Sequence, residues 1–401
     1  MRQIEKTMAQ LIAAHQPGYA LDRRFYVDPE IYALEIDRII MRNWIVAGHQ
    51  SELREPGDFK VLRVANESAI IVRGSDNELR AFANVCRHRG SVVCLKNKGS
   101  TTKFRCPYHG WTYDIDGNLM AARNMSAEFD GSKFGLAQVS VQTLHGLILV
   151  SFCNDPPSTV DARREMAVPM AMFGFENLKV AAFKEYSIAA NWKLAIENYM
   201  ECYHCATAHP DYAKMHTLML DDVKREKLQE RMRQRMNACG LRDLFINGFN
   251  ARAEPGQLGY SYSRTALFKG YKTGSRDGAP VAPLLGELTD YDGGASDLAI
   301  GPFSFLLAYS DHVVCYVFLP VDMDHCRCDI YWLVRDDARE GSDYNVDELT
   351  WLWDITTKAD KEIIINNGRG VRSRFYEPGP LSDMESSERS YIEWVLEQLG
   401  R

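Results

Sequence analysis

The chain has 401 residues, 46% hydrophobic and 25% charged, an ordinary globular composition with enough length for two or three structural units. A formal charge of -7 argues against a general binder of nucleic acid or of anionic membranes, and no apolar run approaches the ~18 residues a membrane span needs. Ten cysteines in so long a chain do not suggest a secreted disulfide framework, and the N-terminus MRQIEKTMAQLIAAHQ has no apolar core of a secretory signal. The expectation is a soluble, cytoplasmic protein in which Cys94, Cys153, Cys239 and Cys315 are free thiols.

In chain order, residues 1–43 read as helix and loop. Asp28 caps a helix at PEIYALEIDRII, with Pro29 in the first turn, where its missing N–H is no loss. Residues 44–155 turn to short β-rich runs, FKVLRVAN, SAIIVRG, LRAFANV and GLILVSF, broken by Gly, Asn and Asp turns, so a small antiparallel β domain is expected. Residues 156–401 mix helical periods with strands. FSFLLAYS, HVVCYVFLPV and CDIYWLVRD predict a sheet, and VDELTWLWDITTKADKEIIINN predicts a long helix after it. The stretch from Asn247 to Ser296, rich in Gly, Ser, Asp and Tyr, reads as a long irregular insertion. The fold class is α+β.

The β domain carries Cys86-Arg-His88-Arg-Gly90 and then Cys106-Pro-Tyr-His109-Gly110-Trp111. Two thiolates on one iron and two imidazoles on the other are the ligand set of a Rieske [2Fe–2S] cluster. A structural zinc uses the same donor types, but zinc fingers pair Cys with Cys and His with His, whereas here each loop supplies one of each. Between Cys86 and Tyr113 stand Arg87, Arg89, Lys96, Lys98, Lys103 and Arg105 with no acidic residue. This local reversal of sign suits the cluster's charge, an acidic redox partner, or pairing with carboxylates elsewhere in the fold.

A second constellation lies in NWKLAIENYMECYHCATAHP. As one helix it would set Glu197, Glu201 and His204 on a common face. His204 and His209 are too far round a straight helix to reach one metal, so the helix must loosen near Ala206–Ala208, and Pro210 suits a chain leaving it. Two His and one carboxylate form the facial triad of mononuclear non-haem Fe(II), which leaves positions open for O₂ and substrate. The carboxylate must come from the C-terminal helix. Asp354 falls with Lys358 and Lys361, and Glu362 with Lys358 and Asn366. Asp360 instead shares a stripe with Trp353, Thr356, Thr357 and Ile364 and is expected to point inward.

These motifs resemble the α subunits of Rieske non-haem iron oxygenases over nearly the whole chain. The resemblance assigns Cys86, His88, Cys106 and His109 to the cluster, and His204, His209 and Asp360 to the iron. It implies a catalytic domain in residues 156–401 built as a curved antiparallel sheet wrapped on a long helix. Residues 1–43 would pack with that domain, and 44–155 would form the Rieske domain. It further implies head-to-tail homotrimers (or dimers of trimers), O₂ as co-substrate, and electrons from NAD(P)H through a separate flavin and iron–sulfur reductase. No GxGxxG loop in a strand–helix setting is present here to bind a dinucleotide.

In the family an acidic residue three before the first iron histidine bridges the two centres. Most ring-hydroxylating members have Asp, whereas here it is Glu201, as in the branch acting on quaternary ammonium compounds. The C-terminal FYEPGPLSDMESSERSYIEWV is also similar to the betaine members. The implied reaction hydroxylates an N-methyl group of stachydrine (proline betaine) or glycine betaine, and N-demethylation then releases formaldehyde. A permanent cation asks for aromatic walls, for which Tyr203, Phe245, Phe249, Tyr260, Tyr262, Phe268 and Tyr271 are the candidates. Rival readings are a carnitine-type monooxygenase, hydroxylation of a benzoate-like ring, a bare electron carrier like a Rieske ferredoxin, and a zinc-stapled binding module.

Overall fold

The alternating runs of the second segment become strands. In the computed structural model, which describes residues 2–217, 220, 222–239, 249–251 and 256–401, Asp58–Val64 and Glu67–Arg73 pair antiparallel as a hairpin. They belong to a seven-stranded sheet with spatial order Ile45–His49, Leu147–Ser151, Gln138–Leu144, Leu79–Ala83, Glu67–Arg73, Asp58–Val64 and Lys98–Ser100. A separate three-stranded sheet of Lys103–Arg105, Thr112–Asp114 and Leu119–Ala121 carries the second Cys/His loop. Phe59, Ile70, Val72, Phe82, Phe104, Trp111 and Tyr113 form a core distinct from that of the rest of the chain.

The larger half is a second antiparallel seven-stranded sheet, in the order Leu178–Ile188, Cys326–Arg335, Val313–Pro320, Ser304–Ala308, Gly294–Ile300, Tyr260–Ala266 and Phe249–Ala251. The central strands are buried on both faces, as expected for a sheet covered on two sides. The predicted long helix spans Val346–Val371, with Asn345 accepting from the N–H groups of Asp347 and Glu348 as its cap. It packs across one sheet face, and Tyr316 Oη lies 3.0 Å from Thr357 Oγ1. The segment expected to be an irregular insertion is so over residues 268–293, but it also supplies Phe249–Ala251, Tyr260–Ala266 and the start of Gly294–Ile300 at one side of this sheet. Its Ser-Tyr and Ala-Asp alternation is strand periodicity, masked by the Gly and Asp turns between the strands. Among the described residues no helix is long and apolar enough to cross a membrane.

Two buried ion pairs brace this half. Asp28 caps the Pro29–Glu35 helix as expected, and Glu35 then reaches Lys193 Nζ at 2.6 Å and accepts from Trp192 Nε1 at 2.9 Å, all without solvent exposure. The N-terminal segment thereby fixes the start of the Trp192–Tyr199 helix. On the opposite sheet face Arg264 forks onto Asp292 at 2.6 and 2.8 Å, and Asp292 also accepts from Gly294 N and Ser310 Oγ. Burial pulls the Asp292 carboxyl upward, but the Arg264 guanidinium outweighs it and holds the group below the usual carboxylate range. Removing one partner leaves the other charged and dry. Asp292→Asn is therefore expected to cost about 3–5 kcal/mol, measured as a fall in the urea midpoint at unchanged slope; a midpoint within error of the wild type would contradict this.

Candidate active site

Two loops of one design meet in the smaller domain. In each, the cysteine carbonyl accepts from a glycine four residues on, Gly90 N to Cys86 O at 3.0 Å and Gly110 N to Cys106 O at 3.1 Å. The cysteine N–H groups close the loops on Ser91 O and Trp111 O, both at 2.8 Å. Gly90 and Gly110 have φ of 76° and 75°, in the left-handed region; a Cβ at Gly90 would meet nothing within 4 Å, so the backbone angle is what demands glycine there. Cys86 and Cys106 are buried, while the Nδ1 atoms of His88 and His109 converge to 3.1 Å on an exposed rim. Two buried thiols and two converging imidazole nitrogens fit a cluster with one sulfur-bound and one nitrogen-bound iron. All six basic residues around it are exposed, and among the described residues none pairs with a carboxylate.

The second site depends on a broken helix. The Trp192–Tyr199 helix stops at Met200, earlier than the sequence pattern suggests, and helix resumes only at Cys205–Ala208. Glu201 sits in the break, and its carboxylate reaches forward to accept from Tyr203 N and from His204 N (3.3 Å), holding the non-helical turn between the two helices. Glu197 consequently does not share a face with Glu201: it is buried against Tyr26 Oη at 3.0 Å, and burial pushes its carboxyl up to about 7. His209 leaves helical backbone (φ -142°, ψ 79°) and Pro210 opens the next short helix, so the chain turns twice and brings both histidines to one point.

At that point His204 Nε2 and His209 Nε2 lie 3.1 Å apart, with Asp360 Oδ1 at 3.2 and 2.9 Å from them. Asp360 Oδ1 is buried yet makes no hydrogen bond, so the three donors aim at a common point rather than at one another. Separations near 3 Å are the edges of an octahedral face around a metal with bonds of about 2.1 Å. Burial lowers the His204 imidazole, but Asp360 and Glu201 raise it overall to about 9 when no metal competes. Glu201 Oε1 accepts from His204 Nδ1 at 2.5 Å, which fixes the tautomer that turns Nε2 toward the triad. Cys205 Sγ lies within 4.8 Å of the histidine nitrogens but is joined to Cys202 in a disulfide. That pair was overlooked in the sequence, although its Cys-x-x-Cys spacing was a signal. Of the other acids on the long helix, Asp354 bonds Lys184, Tyr186 and Lys358.

The expected aromatic candidates are placed differently. Tyr260 and Tyr262 stand on the sheet face that carries Arg264, away from the triad, because strand parity puts them there; Tyr262 Oη accepts from Ser296 Oγ at 3.4 Å. Tyr203 is exposed, and Tyr271 packs against Gly278. Phe268 is half-buried beside the chain at Met215, Phe249 pairs in register with Tyr262, and Phe245 lies outside the described residues. The rings that do adjoin the triad come from the core. Tyr212 meets His209 edge-on at 5.4 Å, Trp353 lies 5.5 Å from Tyr212, and Tyr199 stacks on Phe305 at 4.6 Å with Tyr316 at 5.3 Å. The period-two pattern of FSFLLAYS and HVVCYVFLPV holds the signal for Phe305 and Tyr316, but only the strand register shows which face is inward.

Residues 175–401 match the family model described as ring hydroxylating alpha subunit (catalytic domain), and residues 43–143 match that of the Rieske [2Fe-2S] domain. The chain is 33% identical over 398 residues to the glycine betaine monooxygenase oxygenase subunit of Chromohalobacter salexigens, covering 98% of this chain and 88% of that protein. It is 32% identical over 406 residues to the subunit of the same name from Pseudomonas aeruginosa, covering 98% and 92%. Its fold matches the structure of a quaternary ammonium Rieske monooxygenase at a TM-score of 0.74 (22% identity, 97% and 98% covered). Naphthalene 1,2-dioxygenase from Rhodococcus sp. gives 0.66 (19% identity, 100% and 98% covered). Since both halves match their models and the likeness runs the length of the chain, the protein belongs to the Rieske non-haem iron oxygenases, as an α subunit with a [2Fe–2S] domain and a mononuclear iron catalytic domain.

Proposed function

We propose that this chain is the oxygenase component of a monooxygenase that N-demethylates a small quaternary ammonium compound of the glycine betaine or proline betaine (stachydrine) type. The observation that carries this reading is the full-length likeness to glycine betaine monooxygenase subunits. A biphenyl dioxygenase α subunit from Metapseudomonas furukawaii, by contrast, aligns over only 47% of the chain. The rings of Tyr199, Tyr212, Phe305 and Tyr316 beside the triad support it, since a methylated cation is held well by aromatic faces.

Cys86, His88, Cys106 and His109 hold the cluster in this proposal, and His204, His209 and Asp360 hold the iron. Together these groups supply single electrons and O₂ activation. The protein's own side chains do the rest: Glu201 keeps hydrogen on His204 Nδ1, and the aromatic rings orient the N-methyl group and exclude water. One oxygen atom enters the methyl group and the other leaves as water, at the expense of two electrons and two protons. The resulting N-hydroxymethyl ammonium loses its hydroxyl proton and collapses, with C–N cleavage, to formaldehyde and a tertiary amine. The exposed basic rim around the cluster, with Leu95 and Tyr108 among it, would face an acidic reductase and the Glu201 side of a neighbouring subunit in a homotrimer.

The test is turnover of the iron-loaded protein with a surrogate reductase, NADH and O₂ on glycine betaine, proline betaine, carnitine and benzoates. One formaldehyde per O₂ consumed is expected with a betaine. Ring hydroxylation without formaldehyde would replace this reading with the arene one.

A further inference from the structure

Asp297 stands midway along the Gly294–Ile300 strand and makes no side-chain hydrogen bond or ion pair among the described residues. Register places it opposite Ser263 and Leu307, on the sheet face shared with Phe305 and Tyr316, the face turned to the triad. Nearby buried aspartates behave otherwise: Asp292 pairs with Arg264 and Asp311 with His312. Three tyrosines on separate elements lie within electrostatic reach of Asp297, namely Tyr199 at the end of the Trp192–Tyr199 helix, Tyr212 beside His209, and Tyr309 after the Ser304–Ala308 strand; Tyr262 lies behind it. No cation among the described residues answers it, and burial pushes its carboxyl up to about 7.

The side chain is deep but not sealed. Asp297 keeps partial contact with solvent, as do Ser261, Ser263, Thr265 and Ala299 on the same face, while Tyr262, Arg264, Leu298 and Ile300 on the other face are buried. Alternate residues on the face that carries Phe305 and Tyr316 thus keep access to solvent. An unpaired carboxylate in such a place is costly unless something supplies its counter-charge. Tyrosine rings and a carboxylate that makes no hydrogen bond among the described residues suit a cation that has no N–H to give.

Resting on the quaternary ammonium reading above, we infer that Asp297 is the anionic wall of the substrate cleft and a determinant of specificity for a cationic over a neutral head group. The experiment uses the full-length protein with both metal centres loaded. Dissociation constants are measured by titration calorimetry for glycine betaine, proline betaine and carnitine, each against its isostere with carbon in place of the quaternary nitrogen. The wild type is expected to prefer the cation. Asp297→Asn should cut that preference by at least about tenfold, by weakening the cation and sparing the isostere. Equal weakening of both, or an unchanged ratio, overturns the inference.

Should the variant not fold, the wild type answers alone: the cation's advantage should shrink as pH falls from 8 to 6, since protonation removes the charge, and a flat ratio overturns the inference. The tyrosines facing Asp297 are all held above their ordinary range and stay neutral across that window. A wild type that binds none of the three cations overturns the functional reading and this inference together. Cation binding with the ratio intact in the variant overturns only this one.

Discussion

Exchanging Glu201 for glutamine is expected to leave the Rieske chromophore intact and to cut formaldehyde-forming turnover by about a hundredfold or more. The carboxylate has two tasks that an amide does not share. Its Oε1 accepts from His204 Nδ1 at 2.5 Å, so the imidazole keeps its lone pair on Nε2, toward His209 and Asp360. Glutamine can turn its NH₂ to Nδ1 instead, which moves the hydrogen to Nε2 and spoils the donor set. The negative charge also disappears from the place where, in the proposed trimer, the neighbouring cluster docks. The Cys86 and Cys106 loops fold on a separate core, so their visible spectrum should not change. The measurement is the reoxidation rate of the reduced cluster with substrate and O₂, alongside product formed. Wild-type rates would show that Glu201 only holds the turn before His204.

The parts of this protein legible in its sequence are those governed by local chemistry. Cys86-x-His88 and Cys106-x-x-His109 announce a cluster because one Cys and one His must come from each of two tight loops, and the left-handed glycines Gly90 and Gly110 mark those loops. The long helix was visible through its period, and Asp360 through its apolar stripe. What stayed hidden depends on contacts far along the chain. The break after Tyr199 is held by Glu201 bonding the backbone N–H groups of Tyr203 and His204, which competes with the strong helix formers around it. Tyr260 and Tyr262 were misplaced because parity along a strand is set by pairing, and a shift of one residue exchanges the faces. Asp297 was invisible for a related reason: within DYDGGASDLAI it reads as one more loop aspartate until the register seats it between Ala295 and Ala299 on an inner face.

Asp360→Ala should lose the mononuclear iron and all measurable turnover while keeping the cluster. Even an outer-shell partner of a metal is worth about 10–100-fold in affinity, and Asp360 is one of only three donors, so the loss should exceed that range. Its Oδ1 reaches both imidazoles and is held by nothing else, so no neighbouring group is poised to take its place. The pH dependence of iron uptake gives an independent check on the same triad. Without metal, His204 titrates near 9, so at neutral pH it carries a proton that iron must displace. Affinity should therefore rise about tenfold per pH unit up to that value in the wild type, with one proton released per iron bound. In Asp360→Ala one of the two carboxylates that raise His204 is gone, so the dependence should level off at lower pH. Iron bound at wild-type strength by the variant, or with no release of protons by the wild type, would show that the metal sits elsewhere.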